Sequence, residues 1–333
     1  MIRVGLIFIF AVAICGCNGV QSASGGQGLE SSNIVDLFLL FLAVCTIMYL
    51  LVCAALLTAL RRKKRPEGPG PFAEENSRLI DLLLLGWLAL VILGLIVLTV
   101  ASFFADRSNA SIDRKNALQI TVTANQWWWD VEYRPADPFK IVRTANELHL
   151  PVGTPAQITL RSNDVIHSFW VPNLAGKQDL IPGRISDVQL LPRQTGLYRG
   201  QCAEFCGVQH AQMALDVTVE SAADFQRWYA RQLQPAKEPA TPLQVAGYRY
   251  VTTRECSNCH QISGTVAAGK IAPDLTHLAS RRSIAAGAMP MNRGNLYGWI
   301  ADPQSLKPGS HMPTIGIAPK DLHAVVAYLE TLK

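Results

Sequence analysis

Hydrophobic positions along this 333-residue chain run first without a break, then in alternation, then at helical spacing. Leu37 to Leu60 and Leu82 to Phe104 contain no charged residue. At about 1.5 Å of rise per residue, helices of that length exceed the roughly 30 Å hydrocarbon core of a bilayer, so a hairpin of membrane-spanning helices is expected over residues 34–106. From Ala117 to Val219 the apolar runs are short and of period two: Leu118, Ile120 and Val122 alternate, as do Ile158 with Leu160, and Leu215, Val217 and Val219. Gly, Pro and Asn break these runs. The pattern predicts an all-β sandwich over residues 115–231, ending in a helix that Ser221 can cap. The prolines between Gln234 and Leu243 mark an extended linker, residues 232–243. Residues 244–333 lose the alternation and close on a helix where Leu322, Val325, Val326 and Leu329 recur at helical spacing, as in a small all-α domain.

A hydrophobic share of 49% fits membrane segments beside soluble domains. The formal net charge of +5 is matched in size by "RRKKR", Arg61 to Arg65, alone. Lying between two spans, that cluster marks a cytoplasmic connection rather than a nucleic-acid surface, and no nucleic-acid partner is expected. The N-terminus and everything after Phe104 then face outward. Residues 1–17 agree, since Arg3, an apolar run to Ile14 and "CGC" read as a secretory signal with Cys17 a candidate for lipid attachment. Eight cysteines in an exported chain suggest disulfides, but their positions do not. Cys15 and Cys17 belong to the targeting segment and Cys45 and Cys53 to the first span. The rest form two tight pairs, Cys202 with Cys206 and Cys256 with Cys259, each in its own soluble region.

Cys256-Ser257-Asn258-Cys259-His260 has the C-x-x-C-H spacing in which two thiols form thioethers with a haem and the adjacent histidine reaches the iron. A thioredoxin-like pair would need a βαβ setting and a zinc site a partner pair in the same region; this tail has neither. For the sixth haem position the choice is Met312, in "KPGSHMP" just before the terminal helix, with Met289 as the rival and Met291 and His311 behind it. Met/His ligation would raise the potential relative to His/His. The tail from Leu243 to Lys333 resembles a class I cytochrome c. The resemblance implies that the Pro273 carbonyl orients His260, that Trp299 lies near a haem propionate and that Tyr328 packs near Gly247.

The loop "GQCAEFCGVQHAQM", Gly200 to Met213, places Cys202, Cys206, His210 and Met213 where one compact turn can aim them at a point. Thiolate, imidazole and thioether are soft ligands that select copper over magnesium or calcium. Two thiolates exceed what one electron-transfer copper uses and suit a bridged pair, which then calls for another histidine. His167 in "NDVIHSFWVP" supplies it, whereas His149, His277 and His323 have no such case. With "NQWWWDVEY" and "DLIPGR", these motifs resemble subunit II of a haem-copper cytochrome c oxidase, in the branch where a cytochrome c is fused to that subunit.

The resemblance implies a cupredoxin-like copper A domain in which Cys202 and Cys206 bridge two coppers. His167 and Met213 complete one copper, and His210 with the Glu204 carbonyl completes the other. It further implies a Glu204 side chain directed at a shared magnesium, and Trp127 as the point where electrons reach copper A. The expected function is electron input to a proton-pumping oxidase in the bacterial inner membrane, with the soluble domains on the periplasmic face. Expected partners are catalytic subunit I, other oxidase subunits, membrane lipid, and an external donor such as a soluble cytochrome c. With no histidine in its spans, the chain cannot itself hold the oxygen-reducing centre. A nitric oxide reductase subunit with the same loop, and a copper chaperone, are the competing readings. The chain departs from the family at "EENSRLIDLLLL", which lacks the usual glutamate-tryptophan-proline, so Glu74 and Glu75 receive no proton role. Its β-region also has no carboxylate surplus to steer a basic donor.

Overall fold

A computed structural model describes residues 19–62, 77–113 and 115–333. The expected signal segment with Cys15 and Cys17, most of the basic loop, and Glu74 and Glu75 lie outside the described residues.

The membrane unit consists of α1 (Leu29–Arg62) and α2 (Ser77–Ala110). Both run past the expected 34–106 because no proline or glycine stands in the polar flanks to stop them. Their apolar windows have mean hydropathies of 2.8 and 2.9 and no buried residue, a surface suited to hydrocarbon rather than to a protein core. The Asn33 side-chain amide donates to Asn109 Oδ1 at 2.7 Å, tying one end of the pair together.

The second unit begins with ten strands: β1 (Leu118–Asn125), β2 (Trp128–Tyr133), β3 (Val142–Ala145), β4 (Glu147–Pro151), β5 (Ala156–Ser162), β6 (His167–Trp170), β7 (Gln178–Leu180), β8 (Ser186–Leu190), β9 (Gly196–Cys202) and β10 (Ala214–Glu220). They form two five-stranded sheets in the orders β3-β2-β1-β5-β8 and β4-β10-β9-β6-β7. Alternation works as the pattern predicted: Ile120, Val122, Ile158, Leu160, Leu215, Val217 and Val219 all turn into the core between the sheets. Leu118, at the rim, is half-buried. Helix α3 (Ala222–Gln232) is capped by Ser221, whose Oγ accepts from the Asp224 amide at 3.1 Å. It buries Phe225 and Trp228 at one end of the sandwich, where the Trp228 ring stacks on His149 with centroids 4.1 Å apart.

The linker is not free of its surroundings. The Ala236 amide donates to Ser263 O at 2.9 Å and His277 Nε2 lies 3.1 Å from Gln234 O, so the proline-stiffened segment is laid along the last domain. That domain contains α4 (Pro242–Thr253), the single turn α5 (Cys256–Cys259), a two-stranded ribbon of β11 (Ser283–Ile284) and β12 (Met289–Pro290), and α6 (Arg293–Ala301), α7 (Pro303–Leu306) and α8 (Pro319–Leu329). A capping box between Thr241 and Gln244 starts α4. Leu322, Val325, Val326 and Leu329 of α8 are all buried. Helices α4 and α8 meet at Gly247, where an added Cβ would lie 2.0 Å from Ala324 O.

Backbone-to-backbone contact at that crossing leaves no room to shift. Gly247→Ala is therefore expected to cost about 1–3 kcal/mol by forcing the helices apart. Faster amide exchange in α8, with the β-sandwich amides unchanged, would register that loss.

Candidate functional site

Strand pairing brings the soft donors together. β6 and β9 are antiparallel neighbours with Phe169 opposite Cys202, so the first residue of β6, His167, lies beside the end of β9. The chain after Cys202 then turns back on itself. The Cys202 amide donates to Met213 O at 2.9 Å, which closes the loop at its neck, and the Ala203 amide donates to Ser168 O at 3.0 Å, which pins it to β6.

Inside that loop the two sulfurs of Cys202 and Cys206 are 3.8 Å apart. His167 Nδ1 lies 3.8 Å from Cys202 Sγ, and His210 Nδ1 lies 3.7 Å from Cys206 Sγ. Met213 Sδ is 3.9 Å from Cys206 Sγ, and the Glu204 carbonyl is 3.2 Å from Cys202 Sγ. Every sequence-predicted copper donor is thus at the same cluster. His167 and Met213 have no exposed surface, and both cysteines are buried. Two thiols, two imidazoles, a thioether and a carbonyl at a largely buried cluster are a donor set that fits soft, bridged copper.

Electrostatics prepares the same chemistry. The Cys206 thiol hydrogen-bonded to Cys202 pulls the Cys202 pKa far below the ordinary thiol range, and His167 adds to the effect. The resulting negative sulfur pushes Cys206 up, so one proton is shared by the pair until a metal replaces it. Burial opposes a charge on His167, but its bonds to Cys202 and Asp164 outweigh that and raise its pKa.

Asp164 is the residue that sequence reasoning missed. Its Oδ1 lies 2.8 Å from His167 Nε2, and its Oδ2 accepts from the Gln126 amide at 2.6 Å. A carboxylate on the outer nitrogen of a ligating histidine holds the ring and leaves Nδ1 to face the sulfur. The signal was in the string itself, three residues before His167 in "NDVIH".

Trp127 lies against the loop. Its Nε1 and the Gln126 side-chain amide both donate to Cys206 O, at 2.9 and 2.8 Å. Gly207, at φ +113°, makes room: a Cβ there would lie 2.9 Å from the indole. The ring is only 8% exposed, because the last domain covers it, with the His311 ring centroid 6.0 Å away. The Glu204 side chain is turned outward, 3.7 Å from Lys177 Nζ.

In the last domain Cys256 and Cys259 are free, half-buried thiols at the ends of α5. The next residue, His260, lies with Nδ1 2.7 Å from Pro273 O. A carbonyl there holds Nδ1 as the donor and leaves Nε2 as the free ligand atom, while burial favours the neutral ring a metal needs. That geometry fits an attached haem. Met289, Met291 and Met312 are all half-buried; the first two pack against the apolar core, and Met312 stands on its loop with its carbonyl accepting from Gln304 Nε2 at 2.7 Å. Trp299 and Tyr328 pack in that core, Tyr328 meeting Gly247 as expected, and burial pushes the Tyr328 hydroxyl up to about 12.

Two protein families match the chain: cytochrome c oxidase subunit II, periplasmic domain, over residues 134–221, and cytochrome c over residues 244–333. Cytochrome c oxidase subunit 2 of Alkalihalophilus pseudofirmus is 31% identical over 328 residues, covering 96% of this chain and 94% of that protein. Its counterpart in Bacillus subtilis is 30% identical, covering 82% and 80%. A crystal structure of the periplasmic domain of subunit II of cytochrome oxidase from Bradyrhizobium japonicum matches 35% of this chain and 93% of its own at 29% identity, with a TM-score of 0.33.

If Asp164 orients His167 as the distances indicate, Asp164→Asn should weaken copper binding about 10- to 100-fold while the sandwich stays folded. Competition with a chelator of known affinity reads this directly, and an unchanged affinity would remove the role.

Proposed function

The chain belongs to the cytochrome c oxidase subunit II family, and we propose that it is the subunit through which electrons enter the oxidase, by way of its own haem domain. Membership makes it one subunit of a membrane-bound haem-copper oxidoreductase, beside catalytic subunit I, with copper and haem c as cofactors and periplasmic soluble domains. The fold is the expected one: a two-helix membrane hairpin, a cupredoxin-like sandwich and a helical cytochrome c domain.

The observation that carries the proposal is that Trp127 lies between the cluster of copper donors and the haem-bearing domain, bonded to Cys206 O on one side and covered by the His311 loop on the other. When bound, haem c and a two-copper centre supply one-electron transfer from an external donor, such as a soluble cytochrome c, toward the oxygen-reducing, proton-pumping centre of subunit I. Residues 115–231 hold the copper and residues 244–333 the haem, joined by 232–243.

Cys202, Cys206, His167, Met213, His210 and the Glu204 carbonyl are the groups that would hold the copper, the two sulfurs being close enough to be shared by both ions. Cys256 and Cys259 would attach the haem, and His260 and Met312 would hold its iron. The near-complete burial of the sulfurs and of His167 excludes water, so the site need not reorganise solvent as its charge changes. The Glu204 side chain is free to meet a magnesium at the contact with subunit I once it leaves Lys177. Because Trp127 is covered, an external donor meets the haem domain rather than the copper loop, and a β-domain without surplus acid is adequate. The cell membrane of a bacterium is the setting, with lipid around the hairpin.

The test is electron paramagnetic resonance with metal analysis on the purified oxidase. Two coppers sharing one unpaired electron and one covalent haem per chain are expected, and Cys206→Ser should abolish the shared-electron signal. A mononuclear copper spectrum from the unaltered enzyme would sink the reading. Met312→Ala should keep the haem attached but replace its low-spin spectrum with a five-coordinate one, whereas the same change from Met289→Ala instead would reassign the ligand.

A further inference from the structure

Lys307 precedes the Met312 loop and is 2% exposed. Its Nζ donates to Trp127 O at 2.8 Å, to Gln212 O at 2.9 Å and to Ala285 O at 2.9 Å. An ammonium has three donors, and all three are spent on backbone carbonyls from three separate segments, two in the copper domain and one in the haem domain. Burial pulls the Lys307 pKa down to about 7, so the charged form sits there only because three carbonyls converge on its donors.

The surroundings are built to the same end. Gln209, on the copper loop, donates through Nε2 to Pro308 O at 2.7 Å, beside Lys307. The turn from Ala285 to Gly287 holds three successive residues at positive φ, 53°, 61° and 74°, and two of them are alanines. Residues with a Cβ keep that conformation only where their surroundings demand it. Each carbonyl of the turn is used: Ala285 O accepts from Lys307, Ala286 O from the Ala214 amide at 2.9 Å, and Gly287 O from Arg199 at 3.2 Å. A Cβ on Gly287 would fall 2.9 Å from Ala214 Cβ, so the turn is seated against the strand that leaves the copper loop.

We propose that Lys307 is a positioning residue for transfer between the two redox domains: its ammonium staples the Met312 loop and the 285–287 turn to the Trp127 and Gln212 carbonyls, so that the haem domain works from one fixed docked pose. This rests on the electron relay proposed above. Without the staple the remaining boundary contacts hold the pose less firmly, and whenever the domains part the linker alone governs their return, with an encounter frequency that falls as the tether lengthens. A stapled pose is indifferent to tether length.

The test uses the purified oxidase with and without Lys307→Met, each with and without a Gly/Ser insertion of about ten residues after Glu238. Amide exchange of Ala214, whose N–H crosses the boundary to Ala286 O, is measured first on copper-free enzyme, with Val217 inside the sandwich as the control. Lys307→Met should speed exchange at Ala214 about tenfold and leave Val217 unchanged.

Haem-to-copper transfer, followed by rapid spectroscopy, should slow about tenfold in Lys307→Met and slow again with the insertion, which alone has no effect. If Lys307→Met fails to assemble, Lys307→Gln, which keeps an amide donor pair, should show the same pattern in weaker form. Wild-type exchange and transfer in the assembled variant, or slowing by the insertion alone, would overturn the proposal. No haem-to-copper transfer in the unaltered oxidase would instead remove the relay and this role with it.

Discussion

The pairing of β6 with β9 is the constraint on which the rest of this molecule depends. With Phe169 opposite Cys202, His167 and the first cysteine are brought to one end of the sheet, and the Cys202 amide can bond Met213 O to close the loop between them. A slip of one residue would turn the sulfur to the opposite face of the strand. The core of alternating Ile, Val and Leu side chains prevents that slip, since it would expose them together. Site geometry and sandwich stability are thus the same interaction seen from two sides.

What the loop gains from this is a dry, polarised pocket. Cys202 and Cys206 share one proton because two adjacent thiolates repel, and His167, held by Asp164 and facing Cys202, draws that sulfur toward its anionic form. Burial would ordinarily oppose such charge. Here hydrogen bonds from groups of the loop and of β6 overcome it, so the site is prepared for a soft cation before one arrives. The last domain treats His260 in the opposite way, with burial keeping the ring neutral and Pro273 selecting the tautomer.

Directional polar contacts cross between the domains. Arg143 donates to Lys270 O at 3.0 Å, Ser283 bonds Asp216, and the buried Arg281 and Glu147 approach each other across the boundary. Such contacts are directional and specify one arrangement more sharply than apolar burial does, because any other arrangement leaves buried polar groups unmatched. The covered indole of Trp127 is a consequence of that arrangement.

Much of this was legible in the string of residues. Uninterrupted, alternating and helical hydrophobic periods separate membrane hairpin, sandwich and helical domain because each environment buries a different set of positions. The C-x-x-C-H turn and the loop with Cys202, Cys206, His210 and Met213 stood out because their soft donor groups are close in sequence. His167 could be inferred only as a missing partner, and Asp164 was readable beside it but not singled out. Lys307 carried no signal at all, since an isolated lysine in a Pro/Gly loop has the appearance of a solvated surface residue. Its burial, the left-handed turn at Ala285 and the cover over Trp127 were decided by the tertiary structure, because they arise from carbonyls that lie far apart in the chain and converge only when two finished domains dock.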